Sequence, residues 1–101
     1  MSRYLVSEEA QTVVTTLWET IAEDRQRAAD RMLAALAKVS QHLVDFPAVG
    51  RPADGDHADP PRRLYPVKKY GITVVFRQID GVTLIHRVAG RGRDLDALLH
   101  A

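Results

Sequence analysis

The sequence predicts an α+β fold: an N-terminal strand, an antiparallel helical hairpin packed on an antiparallel sheet, and a short C-terminal helix. Three observations carry this expectation. Residues 10–43 hold apolar side chains at spacings of three and four, the period of amphipathic helices. Residues 63–89 hold strand-like runs, two of them joined by Asp80-Gly81, a strong two-residue hairpin signal. Between them, residues 47–61 contain four prolines and two glycines, which predicts an exposed loop.

The elements follow in order. "SRYLV" is a short strand-like run, and Ser7 after it is a good helix N-cap. Glu8 and Glu9 then occupy a first turn, where carboxylates suit the positive end of the helix dipole. Ala10, Val13, Val14, Leu17, Trp18 and Ile21 form the apolar stripe of the first helix. A break near Asp24, itself a candidate N-cap, leads to a second stripe of Ala28, Met32, Leu36, Val39 and Leu43, widened by Leu33 and several alanines. The loop follows. Its Asp54, Asp56, His57 and Asp59 look ligand-rich, but the closing glutamate of a calcium loop is missing, and a solvated loop is expected.

"RRLYPVK", "ITVVFRQI" and "VTLIHRVA" are the strands beyond it. Pro66 cannot donate to a ladder, so the first of them has an edge or a bulge there. A two-residue turn at Asp80-Gly81 pairs Arg77 with Leu84, Phe76 with Ile85 and Val75 with His86. Ile72, Val74, Phe76 and Ile85 then share the face suited to covering by helices. Thr73, Val75, Arg77, Leu84, His86 and Val88 share the other face. Arg87 falls on the covered face by this count, so it is expected near an edge. Asp94 is positioned to cap a final turn holding Leu95, Leu98 and Leu99.

At 101 residues the chain is expected to form a single domain spanning 1–101. The absence of cysteine excludes disulfides and thiolate metal sites. His42, His57, His86 and His100 are scattered, so no metal or cofactor is expected. No apolar run is long enough for a membrane span, and a soluble cytoplasmic protein is the expectation. The net charge of +1 conceals an asymmetry. Residues 1–61 hold 6 Lys/Arg against 10 Asp/Glu, a balance of −4, whereas residues 62–101 hold 8 against 3, a balance of +5. The basic half suits an anionic partner, nucleic acid or acidic protein, and is equally compatible with a merely solvated sheet face.

Four stretches together carry a resemblance: "LVSEEA", "FPAVGRP" at Phe46–Pro52, "YPVKKYGITVVFRQIDG" at Tyr65–Gly81 and "RVAGRGRDLDALL" at Arg87–Leu99. With the helical pair they resemble the RelE/ParE superfamily of bacterial type II toxin–antitoxin toxins, often labelled plasmid-stabilisation proteins, over nearly the whole chain. The resemblance implies one of two activities. RelE-like members cut messenger RNA in the ribosomal A site, using basic and acid–base residues on the sheet and the C-terminal segment. ParE-like members bind and poison DNA gyrase without hydrolytic chemistry of their own.

The sequence leans toward the ParE-like branch. Thr73 stands where ribonuclease members commonly have a basic residue, Ala97 where they have a tyrosine, and Gly90 where many relatives of both kinds have a histidine. Arg77, His86, Arg87, Arg91 and Arg93 remain as target- or anion-binding candidates, with no catalytic residue assigned. A ribonuclease with an atypical site and an inactive toxin-fold module that only binds an antitoxin are the alternatives. All three readings imply a ParD-like antitoxin, in a hetero-oligomer, whose disordered tail folds over the toxin. Its carboxylates are expected on Arg77, Arg91 and Arg93, and its apolar contacts around Leu17, Trp18 and Met32.

Overall fold

In a computed structural model, residues 3–53, 55, 57 and 60–90 are described. The element order is β1 (Tyr4–Val6), α1 (Glu8–Ala22), α2 (Gln26–Asp45), β2 (Arg51–Pro52), β3 (Arg63–Val67), a single 3₁₀ turn at Lys68–Tyr70, β4 (Ile72–Ile79) and β5 (Val82–Ala89). Two helices pack on one face of a five-stranded sheet, the α+β layer that the sequence predicts. The final helix expected after Asp94 lies outside the described residues.

The sheet order is β1-β5-β4-β3-β2. Strands β2 to β5 form an antiparallel meander, but β1 lies parallel to β5, so the sheet is mixed. The short β2 was not expected. Arg51 and Pro52 pair with Leu64 and Arg63, and Ala53 N–H continues the ladder to the Arg62 carbonyl at 2.8 Å. The Pro/Gly-rich stretch is therefore tied to the sheet at its start, with Gly50 and Ala53 buried. This β2 reaches only Arg63 and Leu64. Pro66 lies past it, with β4 alone beside it, and its missing N–H interrupts no ladder on that side.

Ser7 caps α1 as the sequence predicts: its hydroxyl accepts from the Ala10 N–H at 3.0 Å. For α2 the cap position falls to Arg25 rather than Asp24, with no side-chain hydrogen bond. The core takes Ala10 from α1, Met32, Leu36 and Leu43 from α2, and Val67, Ile72, Val74, Phe76, Ile85 and Val88 from the sheet. The rest of the α1 stripe, from Val13 to Ile21, packs against it partly buried.

Gly50 shows why a glycine follows the second helix. A Cβ there would meet the Leu64 carbonyl oxygen at 2.8 Å and Phe76 Cε1 at 2.9 Å. The chain returning from α2 passes directly against a backbone group and the largest core ring. Arg63 fastens the same stretch by donating to the Gly50 carbonyl at 2.6 Å. Gly50→Ala is therefore expected to cost about 1–3 kcal/mol in chemical denaturation, because the obstructing oxygen belongs to a paired strand. Gly90→Ala, whose Cβ would meet only Leu17 among the described residues, at 3.4 Å, should stay within about 0.5 kcal/mol of wild type.

Candidate functional site

The site is built on the β4–β5 hairpin. Asp80 and Gly81 both have positive φ, 51° and 78°, as a tight two-residue turn requires. From this turn the register runs as expected through Arg77↔Leu84 and Phe76↔Ile85. It then shifts: Val75 pairs with Arg87, not with His86. His86 is the extra residue of a β-bulge.

The bulge reverses the expected facing of every later residue in β5. Val88 turns inward to the core, opposite Val74. Arg87 turns to the outer face, opposite Val75, which resolves its awkward placement under a strict two-residue period. Val75 forms a small second cluster there with Leu64 and Ala53. Arg77 shares this face, reaching the Pro60 carbonyl at 3.5 Å, while its buried Nε has no hydrogen-bond partner among the described residues. Arg87 pairs with Glu9 from the first turn of α1.

Ser7, Glu8, Glu9, Arg62, His86 and Arg87 line a depression of about 290 Å³. Three of the five sequence-predicted basic candidates, Arg77, His86 and Arg87, thus lie on or beside one sheet face. Arg91 and Arg93 lie outside the described residues. Glu9 and Arg62 were missed. Glu9 reads in the sequence only as a first-turn acid, and Arg62 only as the start of a strand.

A second feature lies on the helical side. A cavity of about 380 Å³ opens between α1, α2 and the β1 edge, with Tyr4, Val6, Val14, Leu36, Ile85 and Val88 among its walls. Ala37 and Ser40 of α2 and Thr15 of α1 also line it, and these small side chains leave the space unfilled. Leu33, 40% exposed, forms part of its rim.

The expected apolar contact residues do not line this cavity. Met32 is fully buried at the centre of the core and is not a surface residue. Leu17 and Trp18 are partly buried and do not line the cavity. Trp18 instead ties the hairpin together, its indole N–H donating to Asp30 at 3.1 Å. The opening is displaced from them toward the start of α1 and is reached through Leu33.

A family model for the ParE toxin of the type II toxin–antitoxin system parDE matches residues 4–95. The chain belongs to the ParE toxin family. Solved structures agree on the fold. A chain from the chromosomal ParDE toxin–antitoxin system of P. aeruginosa superposes with a TM-score of 0.73 at 15% identity, covering 90% of this chain and 97% of that one. The isolated E. coli RelE toxin gives 0.51 at 13% identity, covering 99% and 98%. A chain of the intact E. coli RelBE toxin–antitoxin complex gives 0.50 at 12% identity, covering 93% and 100%. No curated protein matches the chain.

For this ParE-family toxin, one hydroxyl holds the basic face in register. Ser7 Oγ accepts from Ala10 N–H and donates to the carbonyl of the bulged His86 at 2.6 Å. Ser7→Ala removes both bonds, and we expect a loss of about 1–2 kcal/mol with faster amide exchange at Ala10. Ser7→Thr, which keeps the hydroxyl, should recover most of both.

Proposed function

We propose that this ParE-family toxin inhibits DNA gyrase and is neutralised by an antitoxin that covers both the helical groove and the basic sheet face. The character of the outer face carries the reading. Arg77 and Arg87 point from it beside His86, suited to holding an anionic partner, and Thr73 stands where RNA-cleaving relatives commonly carry a cation. Such a face suits charge binding, and among the described residues we assign it no positioned acid–base pair for strand cleavage. The toxin then acts by occupying its target, without hydrolytic chemistry of its own and without a cofactor.

The second reading, ribosome-dependent cleavage of messenger RNA, is favoured by one observation, the adjacency of His86 to Arg87 and Arg62 in one depression. Induction of the toxin without antitoxin in a bacterial host separates the two. Filamentation with an SOS response and stabilised DNA breaks is the expected result. Rapid translation arrest, with messages cut in the ribosomal A site, would replace it with the ribonuclease. Normal growth with soluble toxin present would leave an antitoxin-binding module.

The antitoxin tail is amphipathic in this reading, seating an apolar helical face over Leu33 and the cavity behind it while its carboxylates meet Arg77. Arg91 and Arg93, outside the described residues, are proposed as further carboxylate partners. Leu33→Glu is expected to weaken antitoxin binding by roughly tenfold, about 1–2 kcal/mol, in titration calorimetry. Its melting temperature should barely change, since Leu33 already faces solvent.

A further inference from the structure

The Arg87–Glu9 pair is asymmetric. Arg87 is only 22% exposed and rises from the middle of β5, where Val75 opposes it across the ladder. Its position is fixed by the sheet. Glu9 is 66% exposed on the first turn of α1, with a long side chain free to rotate into water. The cation is built in, and the anion is a loosely held occupant. Exposed pairs of this kind contribute little to stability, so exchanging the occupant costs the fold little.

We propose that the depression around Arg87 is a receptor for an acidic side chain of a protein partner, and that Glu9 occupies it as an internal competitor. The inference rests on the reading that the outer sheet face binds an acidic antitoxin tail, and adds Arg87 and its gate to that reading. A carboxylate already sits on Arg87, so the site accepts that geometry, and the planar guanidinium suits it. A nucleic-acid strand is the poorer match. Stacking platforms are what single strands use, and among the described residues no aromatic ring other than His86 lines the depression. Among the described residues of its walls, Arg62 adds positive charge beside Arg87, and Glu8 and Glu9 add negative charge.

The gate has a regulatory consequence. With Glu9 in place, isolated carboxylates and adventitious anions compete against a tethered one at high effective concentration. A partner held elsewhere on the toxin brings its own tethered carboxylate and displaces Glu9. Arg87 is then engaged late, after the partner has docked.

The test uses the full-length toxin with two fluorescent probes at low salt, a deca-glutamate peptide and a single-stranded oligo-dT. Glu9→Gln should tighten the peptide about three- to fivefold, the factor that an exposed ion pair represents. Glu19→Gln, an equal change of charge elsewhere on α1, should do markedly less. Arg87→Gln should weaken the peptide and abolish the effect of Glu9→Gln in the double variant; Arg87→Lys covers the case in which Arg87→Gln fails to fold. Peptide binding that falls in Arg77→Gln but ignores both Glu9→Gln and Arg87→Gln would overturn the gate and leave the acidic-partner reading standing. No peptide binding by any folded variant would remove that reading and the gate together. Tighter binding of oligo-dT with the same Glu9 dependence would overturn the choice of an acidic protein and make this a phosphate site.

Discussion

The arrangement of both faces of the sheet depends on the β-bulge at His86 and on the hydroxyl that holds it. A bulge leaves one residue without a ladder partner, and its carbonyl must be satisfied from outside the hairpin. Ser7 supplies that bond, and the same oxygen caps α1. Ser7 N–H meanwhile donates to the Ile85 carbonyl at 2.9 Å. The start of the helical layer and the irregular point of the sheet are thus one structure. Beyond it Val88 enters the core and Arg87 leaves it. With a regular strand here, an arginine would face the helices and a valine would face solvent.

The charge asymmetry of the chain acquires a location in this frame. The acidic first half and the basic second half meet where the first turn of α1 overlies β5, at Glu9 and Arg87. The carboxylates that favour the helix N-terminus electrostatically are the same ones that neutralise part of the basic face. Two features that read as separate in the sequence, a helix start and a basic surface, share residues in space. At the other end of the sheet, Gly50 and Arg63 do comparable joining, bringing the chain that leaves α2 against β3 and Phe76.

Much of this was legible from local physics. The helical stripes, the Ser7 cap and the Asp80-Gly81 turn are signals confined to a few neighbouring residues, and each is found where the sequence places it. Residues such as Phe76, Ile85 and Val74 follow from counting outward from the turn. The count fails at His86 because a bulge has no signature in "LIHRVA"; the bond that holds it comes from Ser7, 79 positions away. Likewise β2 is hidden because Arg51-Pro52, two residues that follow a glycine and include a proline, carries no strand pattern, and the pairing with β3 recruits it. The depth of Met32 was hidden for a different reason. Period 3.6 marks a helix face as apolar, but does not tell the middle of that face, which is buried, from its margin at Leu33, which is open.

The groove and the basic depression lie on opposite sides of the sheet, yet residues 4–11 contribute to both. Tyr4, Val6 and Gln11 line the groove, and Ser7, Glu8 and Glu9 line the depression. A partner segment engaging both must cross the junction of β1 and α1, where β1 is the edge strand of the sheet among the described residues. Gln11 already occupies part of that edge, donating to the Val6 carbonyl at 2.9 Å. An exposed strand edge invites pairing with any extended chain, and a side chain laid on it restrains this until a specific partner arrives. The junction therefore has two self-made contacts, Gln11 on the edge and Glu9 on Arg87, each with an exposed side chain on a fixed backbone. In the proposed reading a partner's groups replace both, and neither contact involves Ser7 or the bulge.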